Sequence, residues 1–333
     1  MFDNLAIEFR ENDFCLEKQY PFLYYPGMKN EKTKFIFYTD LHLTAKRPIH
    51  RVDDFTASLL IKLKEVYDVA VQEQADFVIF GGDFFNNHRI FSYEIILTAS
   101  DIISKSGLPT YAVIGQHDLI GHNKETYKTS TLSFMEHFCT NFNTLCQPTK
   151  IKNVMLYPCH WFDNVRELVK NKPDSSCCSV MVCHQTITKD TAPYDTILTS
   201  ELVGDYDLIL SGDVHGGYPA HKIGKTLFSN SGSIARRAIN ETHDPRVLVV
   251  EVGKNLSVKE VKLKNVIPAN DAFGTSILES TRVAAEDVDI ERFIEGILEL
   301  EQSAVDIFDL VQKIAIAKGI KQEVIDYVLS KRK

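Results

Sequence analysis

The sequence predicts an α/β sandwich, and three observations carry that expectation. From residue 34 onward, short apolar runs alternate with amphipathic stretches of helical period, the pattern of strands and helices that share one sheet system. Hydrophobic residues make up 44% of the 333 and charged residues 25%, enough to fill a core and too apolar for a disordered chain. The apolar runs have the length of buried strands, and none approaches the roughly 18 residues of a membrane span.

The elements follow in order. Residues 1–33 are mixed and aromatic and read as a strand-rich leader. Lys34–Tyr38 reads as a buried strand. Asp53–Gln74 reads as a helix that Asp53 or Asp54 caps, with Leu59, Leu60, Leu63, Val66, Tyr67, Ala70 and Val71 on one stripe. Phe77–Phe80 is the next strand. Ser92–Lys105 is the next helix, stopped by Gly107 and Pro109. Thr110–Ile114 is a strand and Thr131–Phe138 a short helix. Val154–Pro158, Val180–Cys183, Asp207–Leu210, Thr226–Ser229 and Val247–Val252 are further strands.

Composition shifts near 284. From Glu286 to Asp309 there are nine acids against the single base Arg292, while Ile290, Phe293, Ile294, Ile297, Leu298, Val305, Phe308, Val311 and Ile314 keep helical spacing. Two or three C-terminal helices are expected, either a cap on the core or a docking module for another protein. The domain division is therefore 1–33, 34–263 and 264–333. Seven cysteines without a CxxC spacing argue against a disulfide framework or a zinc ribbon, and the cytoplasm is the expected location. The net charge of −8 excludes a basic nucleic-acid coat.

Chemistry gathers where the strands end. Lys34–Tyr38 is followed by Asp40 and His42, Phe77–Phe80 by Gly81, Gly82 and Asp83, and Thr110–Ile114 by Gly115, Gln116, His117 and Asp118. Val180–Cys183 is followed by His184, and Asp207–Leu210 by Asp213 and His215. Ligands of open α/β sheets sit at the carboxyl ends of strands, and carboxylates mixed with imidazoles there suit divalent metals. Asp40 and His42 stand two apart, so in an extended segment they share a side. Asp40, His42, Asp83, Gln116, His184, Asp213 and His215 supply the seven or so ligands that a pair of metals about 3.5–4 Å apart requires. Each motif alone has a structural explanation; their order and strand placement together favour the metal site.

The order D-x-H, G-G-D, G-x-H-D, H, G-x-x-H over residues 34–252 resembles the calcineurin-like metallophosphoesterases. Within them it is most similar to the nuclease subunit of the SbcCD-type double-strand-break repair complex, phage recombination endonucleases included. Arg51–Asp54, and Asn230–Ile234 followed by Arg236 and Arg237, support the likeness. The resemblance implies a sandwich of two mixed β-sheets flanked by helices, with a small C-terminal helical region. It also implies a metal-dependent DNA exo/endonuclease in double-strand-break repair or recombination. Asp40, His42, Asp83 and His215 would hold one metal, Asp83 would bridge, and Gln116, His184 and Asp213 would complete the second. A hydroxide between the metals would attack phosphorus. His117 would meet the scissile phosphate and Asp118 would orient it.

Two residues depart from the family pattern: Gln116 stands where the family carries Asn, and Asp213 where it carries His. A harder ligand at 213 favours Mn²⁺, with Mg²⁺ the alternative. Lys46, Arg47, Arg51, Arg89, Lys124, Lys189, Lys222, Arg236 and Arg237 stand near the motifs; Arg89, Arg236 and Arg237 are the candidate DNA contacts. No GxxxxGK[ST] occurs, so a partner ATPase of the SbcC type would be a separate chain, docked on the C-terminal helices. A homodimer is what the resemblance implies. Two other readings share these residues: a phosphodiesterase or phosphatase acting on small molecules or nucleotides, and a catalytically silent scaffold of a repair complex.

Overall fold

The structure, a computed structural model, describes residues 32–274 except 91, 192–194 and 240. The expected strand-rich leader, up to residue 31, and the C-terminal helices beyond 274 lie outside the described residues.

Fourteen strands and five α-helices follow one another along the described chain. They are β1 (Thr33–Tyr38), α1 (Phe55–Gln72), β2 (Phe77–Phe80), α2 (Tyr93–Ser106), β3 (Thr110–Ala112), α3 (Thr131–Phe138), β4 (Phe142–Thr144), β5 (Thr149–Ile151) and β6 (Val154–Cys159). After these come α4 (Val165–Leu168), β7 (Cys178–His184), β8 (Ile187–Thr188), β9 (Ile197–Leu198), β10 (Leu208–Gly212), β11 (Tyr218–Ile223), β12 (Thr226–Asn230), β13 (Arg246–Val252), β14 (Leu256–Lys262) and α5 (Ala269–Phe273).

Two six-stranded mixed sheets result, in the orders β14-β13-β1-β2-β3-β4 and β11-β12-β10-β7-β6-β5. In the first, β1 to β4 run parallel and β13 joins β1 antiparallel. In the second, β6, β7, β10 and β12 run parallel. Side-chain alternation divides the core. Phe35, Phe37, Phe77, Ile79, Val154, Leu156, Val180, Val182, Leu208 and Leu210 fill the space between the sheets. Their neighbours Ile36, Tyr38, Val78 and Phe80 face α1 and α2 on the outer side. Both faces of these strands are buried, which explains why they read as unbroken apolar runs.

The helices obey their terminal residues. Asp54 caps α1 by accepting the Ala57 N–H at 3.0 Å. Asp53 instead forms a two-pronged ion pair with Arg51 (2.8 and 2.7 Å). Gly107 closes α2 at φ 68°. The described chain continues past the expected boundary at 263 as part of this body. Glu65 of α1 accepts backbone N–H groups from Lys264 and Asn265, and the Val52 N–H donates to Ala272 O at 2.8 Å. Among the described residues, no helix is long and apolar enough to cross a membrane.

His160 belongs to this framework. It is 5% exposed, its Nδ1 accepts the Ile114 N–H at 3.0 Å, and burial holds its pKa down at about 4. A depressed imidazole pKa means that the unfolded chain takes the proton first. The stability it contributes is present above about pH 6.5 and is lost as pH falls towards 4, about 3 kcal/mol in all. We expect denaturant unfolding from pH 7 to 4.5 to show this loss, and His160→Asn, which keeps an acceptor near Nδ1, to flatten it. An unchanged pH slope in the variant would remove His160 as the source.

Candidate metal centre

The parallel strands of both sheets deliver their C-terminal ends to one edge, where five loops meet. The backbone makes the site by turning sharply. Among the described residues seven non-glycine positions have positive φ, and four are candidate ligands: Asp40 (53°), His42 (47°), Asp83 (59°) and Asp213 (75°). Such left-handed positions cost on the order of 1–3 kcal/mol each and persist where the surroundings over-determine them. Asp40 and His42 therefore reach the same site through consecutive turns, and the extended segment expected from their spacing is corrected. The turns are fixed by bridges from Thr39 to Ser233 and from Leu43 to Phe85, and by hydrogen bonds from Asp40 N–H to Gly82 O (3.1 Å) and His42 N–H to Asp83 O (3.0 Å).

The two glycines beside Asp83's loop are required by contact. Gly82 has φ 102°, and a Cβ there would lie 2.3 Å from His184 Nδ1. A Cβ on Gly115 would lie 2.0 Å from Asp83 Oδ1.

All seven candidate ligands face this edge. His42 Nε2 lies 3.1 Å from His215 Nε2, 3.7 Å from Asp40 Oδ1 and 3.8 Å from Asp83 Oδ2. His215 Nε2 lies 3.7 Å from Asp40 Oδ1. On the other side of Asp83, His184 Nε2 stands 3.4 Å from Asp83 Oδ2 and 4.0 Å from Asp213 Oδ1. Gln116 Nε2 donates to Asp213 Oδ1 at 2.8 Å, and the Thr186 hydroxyl donates to Asp213 Oδ2. Asp40–His42–His215, Asp40–Asp83–His184 and His42–Asp83–His117 each bring ligand atoms within 4.8 Å of one another. The last grouping puts His117, expected outside the ligand set, within reach of Asp83.

Donor chemistry tests the fit to a metal. Asp40 Oδ1, Asp83 Oδ2, Gln116 Oε1 and His184 Nε2 are buried and have no hydrogen-bond partner. Burying a lone carboxylate oxygen is costly, and these atoms converge from four different loops. The set fits divalent cations, with Asp83 between the two halves.

The electrostatics agree. Burial pushes the Asp40 carboxyl up, only partly offset by the imidazoles of His184 and His215. Burial also raises Asp83, but His184 and His117 outweigh it and hold the carboxyl at about 2. Burial lowers His184, yet the carboxylates of Asp83, Asp40 and Asp213 drive it well above the ordinary histidine value. Burial and the Arg237 guanidinium keep His42 well below it. Carboxylates here demand positive charge, which a divalent ion supplies.

The imidazoles are aimed from behind. His184 Nδ1 lies 2.6 Å from Gly81 O, and His215 Nδ1 is held by Glu241, which also accepts the backbone N–H groups of Arg237 and Ala238. His215 holds the Glu241 carboxyl down at about 2 against the effect of burial. Sequence reasoning missed Glu241; it lies in an ordinary polar loop with no motif around it. Thr186, on Asp213, was missed for the same reason.

Asp118 does something other than expected. Its carboxylate accepts four backbone N–H groups, those of Asp83 (3.0 Å), Phe84 (3.1 Å), Phe85 (3.4 Å) and Gly115 (3.0 Å). Both oxygens are thus committed to the loops that carry Asp83 and Gln116, and His117 Nδ1 instead lies 2.9 Å from Asn86 O. The role of orienting the His117 ring passes to that carbonyl.

The basic residues divide. Arg236 is 5% exposed and donates to His243 O (2.9 Å) and Ile267 O (3.3 Å), so its assignment as a DNA contact is corrected. Arg51 is likewise internal, donating to Arg236 O at 2.9 Å and lying over Phe55 and Phe273. Arg237 reaches the centre, with Nη1 3.4 Å from His42 Nδ1, and Arg89 is exposed on the loop after Asp83. The Asn230–Ile234 turn is structural: Ser233 donates its hydroxyl to Asp40 O at 2.7 Å and its N–H to His215 O at 2.9 Å.

We expect Glu241→Ala to weaken Mn²⁺ binding ten- to a hundredfold by calorimetry, the usual effect of losing a partner behind a ligating histidine, and Glu241→Gln to lose less. Unchanged affinity in Glu241→Ala would show that the carboxylate does not orient His215.

Comparison with known proteins adds the following. The family model described as calcineurin-like phosphoesterase matches residues 33–217. No curated protein matches the sequence. Similar solved structures include a dimetal phosphatase from Danio rerio, at 8% identity over 69% of this chain and 98% of that chain, with a TM-score of 0.42. A phosphoesterase from E. coli, Yfce, is 13% identical over 70% of this chain and all of its own (100%), with a TM-score of 0.35. A purple acid phosphatase from yellow lupin (Lupinus luteus) seeds is 12% identical over 72% of this chain and 52% of that chain, with a TM-score of 0.47.

Proposed function

The chain belongs to the calcineurin-like phosphoesterase family, whose model spans more than half of it, and on that premise we propose that it is a dimetal phosphodiesterase acting on DNA. The observation that carries the hydrolase reading is the convergence of four buried polar atoms that make no hydrogen bond, on Asp40, Asp83, Gln116 and His184, with Asp83 Oδ2 and His184 Nε2 facing each other at 3.4 Å, beside a part-exposed histidine.

Asp40, His42, Asp83 and His215 would hold one ion; Asp83, Gln116, His184 and Asp213 would hold the other. Mn²⁺ is the proposed ion, with Mg²⁺ second, because a carboxylate at 213 favours hard cations. When bound, the ions supply Lewis acidity towards phosphoryl oxygens and make water acidic enough to react at neutral pH.

The protein's own groups do the rest. His117 is 18% exposed at its side chain; its Nδ1 lies 2.9 Å from Asn86 O and its Nε2 lies 4.0 Å from Asp83 Oδ2, so Nε2 is the nitrogen turned towards the candidate ligands and the one that would face a phosphate there. There it stabilises the developing charge or protonates the leaving oxygen. Arg237, beside His42, offers its guanidinium to a non-bridging phosphoryl oxygen. Asp118 and Gly115 fix the spacing between Asp83 and the loop that carries Gln116 and His117.

The order of motifs and Arg237 at the centre support DNA as the substrate. A role in break repair or recombination further calls for a separate ATPase chain. The apolar stripe from Ile290 to Ile314, outside the described residues, is its proposed contact, and a homodimer is the proposed assembly.

The test is cleavage of end-labelled linear double-stranded DNA in Mn²⁺, Mg²⁺ and EDTA. We expect metal-dependent degradation, abolished by EDTA and slowed about 10²–10⁴-fold in His117→Ala while Mn²⁺ binding persists. Loss of a bound ion in His117→Ala would make His117 a ligand. Turnover of bis-p-nitrophenyl phosphate with intact DNA would move the substrate to small phosphodiesters, and no turnover of either would leave the scaffold reading.

A further inference from the structure

Trp161 is the only tryptophan in the chain, and it stands between the two loops that carry the second group of candidate ligands. Its N–H donates to Ile114 O at 3.0 Å, two residues before Gln116. Its carbonyl accepts the side-chain amide of Gln185 at 2.8 Å, and Gln185 follows His184 directly. The same amide also serves the carbonyls of His160 (3.0 Å) and Asp163 (3.1 Å). His160 is itself tied to Ile114 and stacks on Phe162, with ring centroids 5.2 Å apart and planes at 28°. The 160–163 loop is therefore fixed to the metal-centre loops at several points.

The indole on this fixed loop is part-exposed. Its ring meets that of exposed His122, five residues beyond His117, at 5.1 Å and 63°. Folding has left a large aromatic ring part-exposed on a loop tied to the ligand-bearing segments, although burial of such a ring is among the larger stabilising contributions a side chain makes. A part-exposed π-face on a loop anchored to the segments that carry Gln116 and His184 is what a planar base on a phosphoester could stack against. Stacking of this kind tolerates every base, because each has a π-face.

We propose that Trp161, braced by His122, is a stacking platform for the nucleobase next to the phosphate at the metal centre, and so a determinant of preference for nucleotide-bearing phosphoesters. This rests on reading the centre as a phosphoesterase site.

The lone tryptophan makes the platform directly observable. In Mg²⁺, thymidine 5′-monophosphate is titrated into the full-length protein against 2-deoxyribose 5-phosphate, which keeps the sugar phosphate and lacks the base. We expect saturable quenching of tryptophan fluorescence by the nucleotide and none by the sugar phosphate. By calorimetry, Trp161→Ala should bind the nucleotide about tenfold more weakly and Trp161→Phe should recover most of the loss. Equal affinity of wild-type protein for the two probes, calorimetric binding of the nucleotide without quenching, or no nucleotide binding up to millimolar concentration would each overturn the proposal. DNA cleavage is scored separately. Base-dependent quenching without DNA cleavage keeps the platform and assigns it to small nucleotides, whereas DNA cleavage without quenching keeps the nuclease reading and removes the platform.

Discussion

The carboxylate of Asp83 is the point on which the structure turns. It is fully buried, sits at φ 59°, accepts the His117 N–H at 2.9 Å through Oδ1, and presents Oδ2 towards the imidazoles of His42, His117 and His184. A buried carboxylate is tolerable only with compensating charge and donors. That requirement explains the surroundings. Asp118 gathers the N–H groups of residues 83–85, Gly115 leaves room for Oδ1, and His184 comes from the second sheet to face Oδ2. Each of these partners is at a strand end, so the site exists only when both sheets have formed and packed.

This coupling explains where the fold accepts local strain. Asp40, His42, Asp83 and Asp213 hold left-handed backbone that an isolated chain would avoid, and all four lie at this one edge. The apolar packing between the sheets, with Phe35, Phe37, Ile79, Val182 and Leu210 fully buried, is the source of stability against which that strain is set. The strain also has a chemical result. It aims oxygen and nitrogen atoms from separate loops at a common volume.

How much of this the sequence disclosed depended on the physical range of each signal. Buried parallel strands read plainly because both faces are apolar, and β2 and α3 run over the residues expected of them. Strand β14, with four of its seven residues exposed, and β4 and β5, three residues each, carry too little apolar pattern to be seen. The candidate ligands were legible because short motifs follow strands. Their turns were not, since a spacing of two fits either an extended segment or a pair of left-handed residues. Glu241 and Gln185 act through hydrogen bonds to residues 26 and 22–25 positions away, which no local pattern encodes.

The arginines show the same limit from the opposite direction. Sequence proximity put Arg51, Arg236 and Arg237 near the motifs and made the last two candidate DNA contacts, but burial separates them. Arg51 satisfies Asp53 and a backbone carbonyl, and Arg236 joins the segments around 243 and 267, so both guanidiniums are committed inside the protein. Of the three, only Arg237 adjoins the candidate ligands with its guanidinium. A chain of net charge −8 that directs so little of its own positive charge to this centre repels polyanions on average. For a phosphate to enter, the compensation must be local. The carboxylates of Asp40, Asp83 and Asp213 would deepen the repulsion if left bare, and bound divalent cations would reverse it. In this sequence, then, the same acids that make phosphate binding unfavourable without metal make it favourable with metal, and affinity for substrate and affinity for ions are properties of one set of side chains.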